Sequence, residues 1–259
     1  MHTISWSLGA RSVRWERTKY FETGSIRPSL HPMLAFSSIH HGHASTTSVD
    51  LLIVTALGMS KEALLNDKPF LTVHDQPIYF QPDWDTGIGG GLWSTGLAMA
   101  QYLQKIHPPP HRVLELGSGN GLLAVCWKAS SPSSTVLATD LADHLPLMQK
   151  TADANPHLPI HVHEYAWGGS PPTSFDSIDI VVGSDVAYRE HLYEPLIDSL
   201  ELIQPRLALL GVTMNDTKPR FFDLLRQRGF VYEKLDDSLL EPEFRGTTFG
   251  IFVVQRRQK

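Results

Sequence analysis

Between residues 112 and 255 the sequence alternates short apolar segments of strand character with longer segments of helical spacing. This alternation restricts the chain more than any other feature. Segments 112–116, 135–139, 160–164, 178–183 and 206–213 read as strands, and 119–129, 142–154, 189–203 and 218–228 as the helices between them. In the segment 189–203, Leu192, Leu196, Leu200 and Ile203 form one apolar stripe. Strands separated by helices pair in parallel, because the connection must cross the sheet before the next strand begins. Segments 231–235 and 249–255 have no long helix between them and are expected to close the sheet as an antiparallel edge. Upstream, 70–73 and 78–81 flank the turn-like His74-Asp75-Gln76-Pro77 and read as a hairpin. A helix over 92–106 follows, stopped by Pro108-Pro109-Pro110. The expected fold class is α/β, with a mostly parallel seven-stranded sheet, an antiparallel edge and an N-terminal β-hairpin extension.

The first strand runs into Gly117-Ser118-Gly119-Asn120-Gly121 and then into a helix. Glycines at such a turn let the backbone bend sharply and approach a ligand closely. A dinucleotide fingerprint would place a third glycine at position 122, which is Leu122. Glu115 lies two residues before the first glycine, where its charge would repel a pyrophosphate and suit a cationic ligand instead. Together these two departures favour a ligand such as S-adenosylmethionine over a dinucleotide. Asp140 ends the next strand, where an acid accepts hydrogen bonds from ribose hydroxyls; capping of the following helix is the other reading. Trp167, in Tyr165-Ala166-Trp167-Gly168, is placed to lie against an adenine ring or simply to pack. Ser184, Asp185 and Tyr188 lie just beyond the fourth strand, at the carboxyl edge where open α/β sheets bind ligands. Helix capping by Ser184 or Asp185, with Tyr188 packing, is an equally available reading.

The net charge of -5 argues against a general nucleic-acid surface, which requires a basic face. The charge is uneven: residues 1–49 carry five basic groups against Glu16 and Glu22. That segment is rich in Ser, Arg and His, and reads as a variable or disordered extension running to about residue 60, with the catalytic domain over 61–259. A mitochondrial transit peptide is the alternative for residues 1–49; otherwise the protein is expected in the cytoplasm. Cys126 is the one cysteine, excludes an intrachain disulfide, and is expected in the core. No membrane association and no metal site are expected, since His40, His41 and His43 have no second ligand pair near them in sequence. Residues 256–259 read as a solvated end.

Trp93 after a glycine-rich loop, Glu-Leu-Gly-Ser-Gly-Asn-Gly at 115–121, Asp140, Trp167-Gly168 and Asp185-x-x-Tyr188 occur in the order seen in one group of enzymes. Over about residues 68–256 the chain resembles the seven-β-strand protein-lysine methyltransferases, whose members modify single lysines on chaperones, AAA ATPases and elongation factors. Glu241-Pro242-Glu243-Phe244-Arg245 adds to the likeness less specifically. The resemblance implies a Rossmann-like class I methyltransferase fold, S-adenosylmethionine as cofactor and a protein lysine as methyl acceptor. It implies cofactor contacts from Trp93, Gly117, Ser118, Gly119, Asp140, Trp167 and Ser184, with Glu115 at the same turn. It places Asp185 and Tyr188 at the acceptor. The chain departs from the pattern at Ser184, where Ala is common, and after Trp93, where a Pro often stands. A monomer is expected. The alternatives are a small-molecule methyltransferase, a non-catalytic Rossmann-like scaffold and a nicotinamide oxidoreductase.

Overall fold

The computed structural model describes residues 68–257, apart from 84 and 86, together with two short strands near the start of the chain. Those two, β1 (Trp6–Ser7) and β2 (Ser12–Val13), pair antiparallel. The expected division near residue 60, the candidate transit segment and the His40–His43 group lie outside the described residues.

The hairpin consists of β3 (Leu71–Val73) and β4 (Gln76–Ile78). Its turn is shorter than the expected four residues. His74 and Asp75 alone make it, both with positive φ (47° and 65°), the conformation that matches the twist of a two-residue hairpin. Pro77, expected in the turn, is paired with Thr72 inside the ribbon. A two-stranded ribbon has an unpaired side that tolerates the missing N–H.

Seven strands form the main sheet: β5 (Arg112–Leu116), β6 (Thr135–Asp140), β7 (His161–Glu164), β8 (Ile180–Ser184), β9 (Leu207–Thr213), β10 (Phe230–Lys234) and β11 (Phe249–Arg256). Their order is β10-β11-β9-β8-β5-β6-β7. The five strands from β5 to β9 are parallel, and β11 runs against both neighbours. The last two strands therefore close the sheet as the expected antiparallel pair, with β11 inside it. The crossover after β9 carries the chain past one empty place, and β11 returns to fill it, leaving β10 outermost.

The helices are α1 (Ser94–Lys105), α2 (Leu122–Ser130), α3 (Leu145–Ala154), α4 (Tyr193–Ile203) and α5 (Pro219–Gln227). Three start three or more residues later than their sequence pattern. Gly119 to Gly121 are spent on the turn, and the first residues before α3 and α4 form 3-10 turns, Ala142–His144 and Glu190–Leu192. α2 is buried on nearly every side, Cys126 included, which fits its position between sheet, hairpin and α1. At the other end, Phe222 lies 5.5 Å from Phe221, 4.9 Å from Phe252 and 5.0 Å from Tyr232 between ring centroids. Truncating such a ring to Ala costs about 3–5 kcal/mol. Arg256, read from sequence as part of a solvated end, closes β11 and donates to Glu201 at 2.7 Å.

Candidate active site

The carboxyl ends of β5, β6 and β8 converge on one edge of the sheet, at the point where the strand order reverses on either side of β5. Crevices of this kind bind ligands in open α/β sheets.

The β5 end makes the glycine turn. Gly117, Gly119 and Gly121 have φ of 65°, 57° and 80°, where a side chain strains the backbone. Space is equally restrictive. A Cβ on Gly117 would meet the Trp167 ring at 2.7 Å, and one on Gly119 would meet the Gly89 carbonyl oxygen at 2.7 Å. Trp167 thus lies against the turn, partly buried, and Gly168 behind it is tied down through its amide to Ser199 Oγ at 2.9 Å. The 3-10 turn Ile88–Gly90 rests on the opposite side. Asn120 Nδ2 donates to Gly91 O, and the Trp93 indole N–H donates to Ile88 O at 3.0 Å, so Trp93 joins the site through this loop.

Glu115 and Ser118 differ from expectation. Glu115 is 1% exposed and lies beneath the turn. Its carboxyl accepts from Ser118 Oγ at 2.6 Å, and its backbone carbonyl accepts from Thr139 Oγ1 at 2.6 Å. Burial pushes the carboxyl up to about 8, with hydrogen bonds from Ser118 and Ala124 opposing that rise and the Asp140 charge adding to it. The pair braces the loop from inside: the Ser118 hydroxyl points inward and its amide goes to Thr139 O at 2.9 Å. In this structure the carboxyl is buried beneath the turn and bonded to Ser118, where it braces the loop.

Asp140 sits on the crevice side. Its Oδ2 accepts the Gly119 amide at 2.8 Å and its Oδ1 the Leu141 amide at 2.8 Å. His144 Nδ1 lies 3.0 Å from Oδ1. Each carboxylate oxygen has two acceptor positions; Oδ1 is occupied by Leu141 and His144, and Oδ2 keeps one position that can receive a ligand hydroxyl.

Asp185 is placed by distant segments. Its backbone adopts φ 54°, a strained region for a non-glycine residue, and its amide donates to Gly211 O at 2.9 Å. Oδ1 accepts from Thr213 Oγ1 at 2.8 Å, and Oδ2 accepts from the Thr95 amide at 3.3 Å, in the first turn of α1. Burial raises the proton affinity of the carboxyl above the ordinary range, hydrogen bonds from Thr95 and Thr213 oppose the rise, and the nearby Asp216 charge adds to it. Tyr188 projects outward, 40% exposed, with the Arg189 guanidinium 5.4 Å from its ring centre. Ser184 faces Gly96, where a Cβ would come within 3.3 Å of its Oγ, so the small residue after Thr95 makes room for it.

Thr95, Gly211 and Thr213 escaped the sequence reading, and the 88–91 loop entered it only as the glycine-rich loop before Trp93. Gly211 was the available signal. A glycine inside the strand Leu-Ala-Leu-Leu-Gly-Val-Thr marks a close approach. Here a Cβ would meet Met99 Sδ at 2.8 Å and Thr95 Cβ at 3.1 Å. α1 descends onto β9 at that point and carries Thr95 to Asp185.

The profile of the family described as lysine methyltransferase matches residues 73–228. The chain belongs to the lysine methyltransferase family. It is 27% identical over 183 residues to protein N-lysine methyltransferase METTL21A of Danio rerio, covering 64% of this chain and 81% of that one. It is 25% identical over 189 residues to the protein of the same name from Xenopus tropicalis, covering 70% and 85%. EEF1A lysine methyltransferase 3 of Xenopus tropicalis is 29% identical over 121 residues, covering 45% and 53%. Among solved structures, a ribosomal protein L11 methylase from Lactobacillus delbrueckii subsp. bulgaricus superposes with a TM-score of 0.56 at 16% identity, covering 75% of this chain and 93% of that one, which shows the shared fold. The protein is an enzyme with a Rossmann-like methyltransferase fold, and the scaffold and nicotinamide readings fall with that membership.

Proposed function

We propose that this lysine methyltransferase uses S-adenosylmethionine bound across the glycine turn and delivers the methyl group to a lysine presented by another protein. The turn fits the cofactor: Gly117 and Gly119 are conformations and close approaches that only glycine accommodates, and Asp140 stands beside them at the end of β6. Gly117, Gly119, Asp140, Trp93 and Trp167 would hold it, with Glu115 and Ser118 supporting the turn from below and Ser184 near the start of α1. When bound, the cofactor supplies a methyl group already activated on a positively charged sulfur.

The chain's own groups then present the acceptor. An ammonium in water holds its proton to about pH 10.4, and only the neutral amine has a lone pair to offer. A partly dry site lowers that value. Asp185 keeps one acceptor position on each oxygen after its bonds to Thr213 and Thr95, enough to receive the N–H groups of the amine and point its lone pair. Tyr188 borders the entrance. Holding two reactants in register supplies several kcal/mol of the barrier reduction.

One observation carries the choice of a macromolecular acceptor. Among the described residues five large apolar side chains are exposed, and four stand at this edge: Ile88 (52%), Trp93 (37%), Leu141 (49%) and Tyr188 (40%). An apolar rim around a polar site suits a protein surface better than a free small molecule. The test is to incubate the enzyme with radiolabelled S-adenosylmethionine and a cell lysate, and with a purified chaperone, AAA ATPase and elongation factor 1A. A labelled protein band whose label survives in methyl-lysine after hydrolysis is expected. Label confined to small molecules would overturn the reading. We further propose a monomer acting in the cytoplasm, tested by sedimentation and by fractionation of the tagged full chain.

A further inference from the structure

Asp185 opens the loop after β8, yet its carboxylate is held by neither of its sequence neighbours. Oδ1 takes the Thr213 hydroxyl at 2.8 Å and Oδ2 the Thr95 amide at 3.3 Å, across 28 and 90 residues of chain respectively. The β9–α5 loop that begins at Thr213 also grips the Asp185–Tyr188 segment directly. Thr217 Oγ1 donates to Ala187 O at 2.8 Å, and the Thr217 amide returns to Thr213 O at 2.9 Å. Thr213 therefore stands at the root of a loop that braces the acceptor side from behind and contacts the carboxylate itself.

We propose that Thr213 is a positioning residue for methyl transfer: its hydroxyl fixes the Asp185 carboxylate in the orientation that receives the acceptor amine. The inference rests on the reading of Asp185 given above. The Thr213 hydroxyl bond at 2.8 Å is shorter than the Thr95 amide bond at 3.3 Å, and it comes from a strand buried along most of its length, so it is the firmer anchor for Oδ1. The helix contributes the Thr95 amide and the Thr95 side chain, and no charged side chain before Lys105. From the loop, Asp216 acts on Asp185 by its charge and raises its proton affinity. Thr213 opposes that rise by stabilising the ionised form.

Thr213→Val keeps the shape of the side chain and removes the hydroxyl, and Thr213→Ser keeps the hydroxyl. Three readouts are taken on the full chain: the pH midpoint of the Asp185 carboxyl carbon by NMR, assigned with Asp185→Asn; the rate of methyl transfer to lysate protein; and affinity for S-adenosylhomocysteine by calorimetry. Thr213→Val is expected to move the Asp185 midpoint upward, to slow transfer about tenfold at neutral pH, and to shift the acidic limb of the rate profile to higher pH. Cofactor affinity should stay within about twofold, and Thr213→Ser should recover most of the rate. In an Asp185→Asn background, Thr213→Val should add no further loss. An unmoved midpoint with wild-type transfer in Thr213→Val, or a full additional loss in the double variant, would overturn the proposal. Wild-type transfer in Asp185→Asn would overturn the underlying reading of Asp185 itself, a result distinguishable from either.

Discussion

The two sides of the crevice are built by different means. On the cofactor side, β5 and β6 are neighbours and the hydrogen bonds that shape the turn lie within or between them: Gly119 to Asp140, Ser118 to Glu115, Thr139 to the Glu115 carbonyl. Backbone amides and glycine conformations do the shaping. On the acceptor side, one carboxylate gathers α1, β8 and β9 around itself, and it does so from a strained backbone. Backbone-built sites tolerate changes of side chain but not of conformation. A site gathered on one side chain fails when that side chain changes. The contrast predicts that the halves can be damaged separately.

The largest effect should come from Asp185→Ala. Removing the acceptor of the amine is expected to lower methyl transfer at least about a hundredfold, roughly 3 kcal/mol, measured as label incorporated into lysate protein. Turnover near wild type would show that the acceptor side does not depend on this carboxylate.

Gly119→Ala tests the other half by conformation. The left-handed backbone alone costs about 1–2 kcal/mol with a side chain. The Cβ would also fall 2.7 Å from the Gly89 carbonyl oxygen, which is backbone and yields only if the 88–91 loop moves. A lowered melting temperature with weaker S-adenosylhomocysteine binding is expected. A variant that binds and melts like wild type would mean that the loop is free to move away at little cost.

A smaller effect is expected from Glu115→Gln, and it appears against pH. The folded value of about 8 lies above the ordinary 4.5, so the contribution of this carboxyl to stability is complete below about pH 4.5 and is lost as pH rises through 8. The wild-type melting temperature should therefore decline between about pH 5 and pH 8, and Glu115→Gln should decline less steeply. Asp185, raised in the same direction, keeps the slope from vanishing. Equal slopes in the two proteins would remove the buried-carboxyl account of the turn. The smallest change belongs to Tyr188→Phe. An exposed phenol at the entrance should be worth less than about threefold in transfer, since hydrogen bonds shared with water contribute little net.

How far each half could be read from the sequence follows the same division. The glycine turn and Asp140 were legible because their partners lie within one βαβ unit, where spacing along the chain translates directly into position. The role of Glu115 was not: its place two residues before the glycines suggested a ligand counter-charge, and only burial shows that the carboxyl turns under the loop to Ser118. The sheet was legible as alternation, and its one ambiguity was where β11 would insert, because strand periodicity carries no information on partners. On the acceptor side the motif residues Asp185 and Tyr188 stood out, while Thr95 and Thr213 did not. A threonine at a strand end and another in a helix's first turn are ordinary in sequence, and their meaning arises only when Gly211 lets α1 approach β9.

The separation of the two halves can be measured most directly by titrating S-adenosylhomocysteine into Asp140→Ala and Asp185→Ala side by side in a calorimeter. Asp140→Ala should lose at least about tenfold in affinity, the loss of a charged hydrogen-bonding partner, while Asp185→Ala stays within about twofold of wild type. Equal losses in both variants, or full affinity in Asp140→Ala, would contradict the account.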